Sequence, residues 1–318
     1  MIPNPIPLDD IRAARGRIAG LALRTPLVRL HVDGDAEVHL KLECLQPIGS
    51  FKIRGAANAM FSADPETLKR GVWTASAGNM AQGVAWCARA LGVPCTVVVP
   101  DHAPATKLAA VERLGARIVK RPFAEWWQLI AERDDDAYDG LLVHPVADAA
   151  VIAGNGTIGL EILEDLPDAD SVVVPYGGGG LSCGIASAIK ALRPSCKVYA
   201  AEVEPAAPLA PSLAAGHPVT ITYTPSFVDG IGGSSVLRDL WPLASTLLDG
   251  SIVVSLDAVA AAVRLMLERV RVVAEGAGAS AVAAAQSGQA RGRRIVAVVS
   301  GGNIDLQKVA KIIGGEVP

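Results

Sequence analysis

Short runs of β-branched residues alternate along the chain with longer, alanine-rich stretches of helical spacing. The runs read as strands buried on both faces, and the stretches as helices packed over them. This pattern predicts strands at Val72–Ala75, Cys95–Val99, Arg117–Lys120, Leu141–His144, Val172–Pro175, Val198–Glu202 and Ile295–Val299. It predicts helices at Met80–Leu91, Thr106–Leu114, Phe123–Arg133, Val151–Leu166, Leu181–Leu192, Asp257–Arg269, Ala279–Ser287 and Leu306–Ile313. A parallel return needs a crossover helix, so the alternation implies parallel sheets. The strands are too many for one small sheet. The expected fold is α/β, with two open, twisted parallel-sheet domains and helices on both faces. Residues 203–256 break the rhythm, with prolines at 205, 208, 211, 218, 225 and 242, and read as an excursion over a site or an interface.

Composition narrows the class. In 318 residues, 51% are hydrophobic and 19% charged, with a mean hydropathy of +0.36. That is enough apolar material for a large core and excludes wholesale disorder. No apolar run reaches the roughly 18 residues that begin to read as a membrane span. The stretch Ala258–Met266 is interrupted by Arg264 and followed by Glu268, Arg269 and Arg271. The N-terminus lacks the basic start and apolar stretch of a signal peptide. A net charge of −3 and 4% aromatic residues supply neither a basic stripe nor a stacking platform, so no nucleic-acid partner is expected. Cys44, Cys87, Cys95, Cys183 and Cys196 form no C-x-x-C pair and read as reduced, mostly buried thiols of a cytoplasmic protein. His31, His39, His102, His144 and His217 have no metal-ligand spacing, and no metal is expected. The acidic run Asp134, Asp135, Asp136 and Asp139 reads as a solvated turn rather than a cation site.

The first chemical signal is Val172–Val173–Val174–Pro175–Tyr176–Gly177–Gly178–Gly179–Gly180–Leu181–Ser182, a buried strand running through four glycines into a helix. Glycines let backbone N–H groups approach an anion closely, and the helix start adds its dipole and free donors. This is a phosphate cup. A dinucleotide fingerprint would need glycine at Ser182 or Cys183, and both registers fail. Glu202 and Glu204 at the end of the next predicted strand keep an NAD-dependent oxidoreductase as a remote alternative. No Walker A pattern follows the glycines.

The second signal is Lys41–Leu42–Glu43–Cys44–Leu45–Gln46–Pro47–Ile48–Gly49–Ser50–Phe51–Lys52–Ile53–Arg54–Gly55–Ala56. Lys52 follows a Gly–Ser turn at the opening of a helical pattern. The positive helix end disfavours an ammonium there, and a neutral lysine amine is a nucleophile able to form a Schiff base.

The pattern K-x-E-x-x-Q-x-x-G-S-F-K-x-R-G-A resembles the lysine segment of the threonine/serine dehydratases, which belong to the tryptophan-synthase-β-like, fold type II class of pyridoxal-phosphate (PLP) enzymes. Ser76–Ala77–Gly78–Asn79–Met80–Ala81–Gln82–Gly83 resembles that family's S-x-G-N-H-x-Q-G loop, and the glycine run its phosphate loop. Ser300–Gly301–Gly302–Asn303 resembles its S-G-G-N after the last strand. The segment from Asp10–Ile11–Arg12 to Thr25–Pro26–Leu27 is similar too, so the likeness covers nearly the whole chain.

The resemblance implies roles. Lys52 would hold pyridoxal 5'-phosphate and serve as the base at the substrate's Cα. Phe51 would lie on one face of the cofactor ring and Gly230, in Asp229–Gly230–Ile231–Gly232–Gly233, on the other. Asn79 would bond the ring hydroxyl, and Ser300 would face the pyridine nitrogen. Gly177, Gly178, Gly179, Gly180 and Leu181 would hold the phosphate by backbone N–H groups. Gly232, Gly233, Gly301 and Gly302 are expected to meet the cofactor as well. Ser76, Ala77, Asn79 and Met80 would meet the amino-acid substrate, with Ser76 and Asn79 at its carboxylate. The implied reaction is β-elimination, turning L-threonine, L-serine or a related β-hydroxy amino acid into a 2-oxo acid and ammonium. A serine at the pyridine nitrogen does not enforce ring protonation, which favours elimination over transamination. The alternatives within the fold are an amino-acid racemase or another β-eliminase or β-replacement enzyme. The resemblance divides the chain into a large PLP-binding domain, 1–57 and 148–318, and a small domain, 58–147. It implies a homodimer.

The sequence departs from the family pattern in three places. Met80 stands where the pattern has histidine, which leaves room for a bulkier or more hydrophobic substrate. Ala77 stands where a racemase of the family carries its second base, which argues for the dehydratase. Glu204 matches one ligand of a cation site found in some relatives, but Ala210 replaces the aspartate, so Glu204 reads as a surface carboxylate. Glu275, in Val273–Ala274–Glu275–Gly276–Ala277–Gly278, resembles a family segment beside the active site without an assignable role. The Trp126–Trp127 pair reads as one core and one interface residue. The length leaves no room for the C-terminal effector domain of feedback-regulated relatives, so control by isoleucine through such a domain is not expected.

Overall fold

Two sheets organise the chain. The computed structural model describes residues 2–318 apart from 33, 35, 104 and 133–137. In chain order its elements are α1 (Leu8–Ile18), β1 (Leu27–Leu30), β2 (Glu37–Lys41), α2 (Lys52–Phe61), α3 (Pro65–Lys69), β3 (Val72–Ala75) and α4 (Asn79–Leu91). Next come β4 (Cys95–Pro100), α5 (Ala105–Arg113), β5 (Arg117–Arg121), α6 (Phe123–Glu132), β6 (Leu141–Leu142), α7 (Ala149–Asp165), β7 (Ser171–Pro175) and α8 (Gly180–Leu192). The rest are β8 (Lys197–Val203), α9 (Leu209–Ala215), α10 (Trp241–Leu247), β9 (Gly250–Val254), α11 (Leu256–Arg269), α12 (Gly276–Gln286), β10 (Arg294–Val298) and α13 (Leu306–Ile313).

The larger sheet runs β1-β2-β10-β7-β8-β9 and the smaller β5-β4-β3-β6. Every pairing is parallel except one: β1 lies antiparallel to β2, with Leu27 opposite Lys41. The expectation of parallel sheets holds, with one antiparallel edge strand added. β1 and β2 escaped the pattern because they are short, half-covered strands, and Glu37–Lys41 carries Glu37, His39 and Lys41 among its apolar residues. β9 was hidden in the proline-rich stretch 203–256, which also contains α9 and α10. The short or amphipathic α1 and α3 were not predicted either.

The two faces of the larger sheet fill separate cores. From β7, Val173 joins the core under α11 and α12, while Val172 and Val174 join the core under α1, α7 and α8. Successive strand side chains point to opposite faces, so a continuous valine run serves both. Helix α12 is buried nearly throughout. Its glycines and alanines allow close approach: a Cβ at Gly278 would lie 2.8 Å from the Gly301 carbonyl oxygen. The smaller sheet is likewise two-sided, with Val97 and Val99 of β4 facing α2 and α4, and Val98 facing Trp126 of α6.

The predicted strand Leu141–His144 stops at Leu142. The His144 ring Nδ1 accepts the Val146 and Ala147 backbone N–H groups at 3.1 and 2.8 Å, turning the chain toward α7. The predicted end of α6 at Arg133, and the acidic positions 134–136, lie outside the described residues. Cys44, Cys87, Cys95, Cys183 and Cys196 are free thiols, all buried but Cys44, and burial pushes them up to about 11 or 12. Among the described residues, no helix is long and apolar enough to cross a membrane.

Candidate active site

The carboxyl ends of parallel strands collect ligands, because the loops leaving them are free to vary and helix N-termini follow them. Here β3 leads through Ser76–Gly78 into α4, β7 leads through 176–179 into α8, and β10 leads to Ser300. These loops and the first turn of α2 enclose a cavity of about 360 Å³. Its lining includes Phe51, Lys52, Ser76, Ala77, Asn79, Met80, Gly177, Gly178, Gly179, Gly180, Leu181, Gly230 and Ser300.

Lys52 opens α2, and its turn is held by the β10 segment. The Phe51 N–H donates to the Ser300 carbonyl at 3.0 Å, and Gly302 N–H to the Gly49 carbonyl at 2.9 Å. Gly49 takes a φ of +69°, a left-handed conformation that suits glycine. The Lys52 Nζ donates to the Pro145 carbonyl at 2.7 Å and sits 5.2 Å from the Phe51 ring centroid. Burial lowers its pKa to about 8, against a partial rise from the Glu275 charge. The expected direction holds, but desolvation is the cause rather than the helix end alone.

The glycine run forms a donor array. The backbone N–H groups of residues 177–182 have no acceptor among the described residues, and helical bonding begins with Cys183 N–H to the Gly179 carbonyl at 2.9 Å. Gly179 has a φ of +94°. Side chains would not fit: a Cβ at Gly178 would lie 2.6 Å from Val146 Cγ1, and one at Gly180 2.8 Å from the Val146 carbonyl oxygen. A nest of unbonded donors at the start of a thirteen-residue helix suits a phosphate. With a buried, easily deprotonated amine in the same cavity, the residues fit pyridoxal phosphate.

Asn79 is fixed from two sides. Its Nδ2 donates to Glu275 Oε1 at 2.8 Å, and its Oδ1 accepts from Asn303 Nδ2 at 2.7 Å. Asn303 also donates to the Ile48 carbonyl at 2.9 Å, so the loop before Lys52 belongs to the same chain of bonds. Glu275 is the residue that sequence reasoning left without a role. It precedes α12, lines the cavity and orients the Asn79 amide. Its only signal was a carboxylate set among small residues at a helix start. Trp126 packs against the core of the smaller sheet and also lines the cavity, while Trp127 is exposed.

Some glycines serve packing instead of the cavity. Gly232, Gly233, Gly301 and Gly302 are not among its lining residues. A Cβ at Gly232 would lie 2.5 Å from Ala206 Cβ, one at Gly302 2.5 Å from the Val273 carbonyl oxygen, and one at Gly301 2.3 Å from Glu275 Oε1. Gly301 therefore makes room for the carboxylate that holds Asn79.

The remaining polar residues of the lysine motif lie beneath the site. Arg54 Nε and Nη2 donate to the two Glu43 oxygens, each at 2.8 Å, and Arg54 Nη1 donates to Glu161 at 2.6 Å. Lys41, wholly buried, reaches Glu161 at 2.6 Å and the Thr25 carbonyl at 2.6 Å. Gln46 Nε2 donates to Glu43 at 3.1 Å. Burial alone would raise the Glu43 carboxyl, but Arg54 overrides it and holds its pKa low. Glu202, which kept a dinucleotide site open, is also an internal group. It accepts Leu209 and Ala210 N–H groups at 2.8 and 2.9 Å and the Ser251 hydroxyl at 2.6 Å, so it is turned into the fold rather than toward a ribose. Glu204 is exposed.

Comparison with known proteins agrees with this geometry. Residues 18–301 match the family described as pyridoxal-phosphate dependent enzyme. The chain is 40% identical over 314 residues to L-threonine ammonia-lyase of Thermotoga maritima, covering 97% of this chain and 78% of that protein. Among solved structures, maize serine racemase superposes with a TM-score of 0.89 at 35% identity, covering 98% of each chain. A threonine deaminase from T.th. superposes with a TM-score of 0.87 at 36% identity, covering 94% of this chain and 98% of that one.

Proposed function

We infer the reaction from one premise: the chain belongs to the pyridoxal-phosphate dependent enzyme family. Its cofactor is pyridoxal 5'-phosphate, and it is a lyase of the threonine ammonia-lyase type. We propose that it eliminates water from L-threonine, L-serine or a related β-hydroxy amino acid, with 2-oxo acid and ammonium as products. The observation that carries this reading is Lys52, a buried amine with its pKa lowered to about 8, in one cavity with the phosphate-type loop 177–182 and the Ser76–Asn79 turn.

When bound, the cofactor draws electrons from the substrate's Cα and makes its proton acidic. The phosphate would be held by the N–H groups of Gly177, Gly178, Gly179, Gly180 and Leu181, and the ring between Phe51 and Gly230. Asn79, its amide fixed by Glu275 and Asn303, would bond the ring hydroxyl. Ser300 would offer a hydroxyl to the pyridine nitrogen. Ser76 and Asn79 would orient the substrate carboxylate, and Ala77 and Met80 would flank it. Lys52 takes the Cα proton as general base, a task suited to an amine whose pKa is near neutrality. Racemisation needs a second proton carrier on the opposite face, and Ala77 supplies none.

We further propose a large cofactor-binding domain, 1–57 and 148–318, and a small domain, 58–147; the strands of the smaller sheet all fall within 72–142. The free thiols support action in the cytoplasm, and a homodimer is the assembly proposed from the symmetry that most such enzymes adopt. Purified protein should be yellow, with the absorbance removed by borohydride and by Lys52→Ala. Incubation with β-hydroxy amino acids should release equal amounts of 2-oxo acid and ammonium. D/L interconversion without either product would sink the lyase reading.

A further inference from the structure

We propose that the preferred substrate carries a hydrocarbon side chain larger than methyl, and that Met80 and Trp126 select for it. This rests on the elimination reading above. The anion-holding parts of the cavity are the backbone of 177–182 and the Ser76–Asn79 turn. On the side of the smaller sheet the remaining wall is Met80, Pro100, His102, Ala103 and Trp126. Pro100 ends β4, Trp126 lies in the first turns of α6, and Met80 is the second residue of α4. Met80 is 1% exposed, so it backs the wall and shapes it rather than offering broad surface. Trp126 donates its indole N–H to the Val98 carbonyl at 3.1 Å, which turns the polar edge into β4 and leaves the ring as apolar surface. Phe123 backs the indole at 5.7 Å between centroids, and His102 backs Phe123 at 5.7 Å.

Charge points the same way. Among the described lining residues the full charges are Lys52, Asp229 and Glu275. Lys52 serves the cofactor, Glu275 is bonded to Asn79, and Asp229 lies 3.5 Å from Lys308. A carboxylate on the substrate side chain would meet two like charges among the described lining residues. A polar side chain would find only the His102 ring in the wall, and its Nδ1 lies 3.2 Å from Asp101 Oδ1; proline has no N–H and the indole N–H is committed. The wall therefore rewards apolar contact, and one added methylene in such a pocket changes kcat/KM by about tenfold or more. L-Serine presents no methyl and L-threonine only one.

The chemistry is unchanged by the larger side chain. With L-threo-3-hydroxyleucine, the Cα–H and Cβ–O bonds break, Cα=Cβ forms and the hydroxyl leaves as water. The released enamine takes a proton at Cβ, and its imine takes up water, giving 4-methyl-2-oxopentanoate and ammonium. One water leaves and one enters, so no oxidant is needed.

The test uses the holoenzyme with L-serine, L-threonine, L-threo-3-hydroxyleucine, L-threo-3-phenylserine and L-threo-3-hydroxyaspartate, scored for 2-oxo acid and ammonium. Hydroxyleucine or phenylserine should exceed threonine in kcat/KM by about tenfold or more, with hydroxyaspartate last. Met80→His should shift the ratio back toward threonine, mainly through KM. Titration with L-leucine and L-alanine, which lack the leaving group, should quench tryptophan fluorescence at about tenfold lower concentration for leucine. If Met80→His fails to fold, Trp126→Phe makes the same comparison. Preference for serine or threonine, unmoved by either variant, overturns the proposal and leaves the elimination reading standing. Absence of 2-oxo acid from every substrate overturns the elimination reading, while the leucine–alanine titration still decides the nature of the wall.

Discussion

At the scale of the residue, Lys52 is set apart by its surroundings rather than by its neighbours in sequence. An unfolded lysine titrates near about 10.4, whereas burial brings the folded amine down to about 8. Below pH 8 both states of the cofactor-free protein are protonated there, and the folded state bears the full cost of a buried ammonium. Between about pH 8 and 10 the folded state has lost the proton and the unfolded state has not, so this contribution to stability rises with pH. Lys52→Met keeps the shape without the charge. The cofactor-free variant should be more stable than the cofactor-free parent at pH 7, by on the order of 2–3 kcal/mol. Denaturant unfolding at a series of pH values should show that advantage shrinking from about pH 8 to about pH 10. A difference independent of pH would remove burial as the cause. The lysine itself was legible in sequence from the Gly–Ser turn and the motif around it. Glu275 was not, because its role is a contact with Asn79, 196 residues away, which no local pattern records.

At the scale of the element, the question is what keeps the first turn of α2 in place. Arg54 ties that turn to Glu43 before it and to Glu161 of α7. Close backbone packing reinforces the tie, since a Cβ at Gly154 would lie 2.4 Å from the Arg54 carbonyl oxygen and one at Gly55 2.7 Å from Val151 Cγ1. Arg54→Met would leave Glu161 with Lys41 but the buried Glu43 with only the neutral Thr25 and Gln46. It should destabilise the protein by about 3–5 kcal/mol in denaturant unfolding. Replacing Arg54 and Glu43 together with apolar residues should cost less than the single change, because Glu161 keeps Lys41 and no carboxylate is then left without a charged partner. Helix and strand positions in the alternating part of the chain were readable from periodicity. The edge strands β1 and β9 were not, because short, partly exposed strands lack a continuous apolar run.

At the scale of the whole molecule, two sheets turn loops from their carboxyl ends into one cavity, and each supplies a different kind of recognition. The larger sheet provides the glycine donors, Gly230 and Ser300. The smaller provides the Ser76–Asn79 turn and the apolar wall of Met80 and Trp126. If the proposed homodimer forms, light scattering of the holoenzyme should give twice the 32.8 kDa chain mass over a wide concentration range. A single-chain mass at working concentration would reject it. The sequence by itself determined the fold class and marked the lysine and the glycine loop as candidates. Those are written in local terms: a valine run followed by alanine spacing, glycines before a helix, a lysine after a tight turn. Only the tertiary structure decided that Lys41, Glu43, Gln46 and Arg54 are buried support, that Glu202 faces inward and that Gly301 gives space to a carboxylate. It alone brought Trp126 to the cavity. The physical reason is that burial, charge pairing and steric room depend on partners distant in sequence, and folding alone brings those partners together.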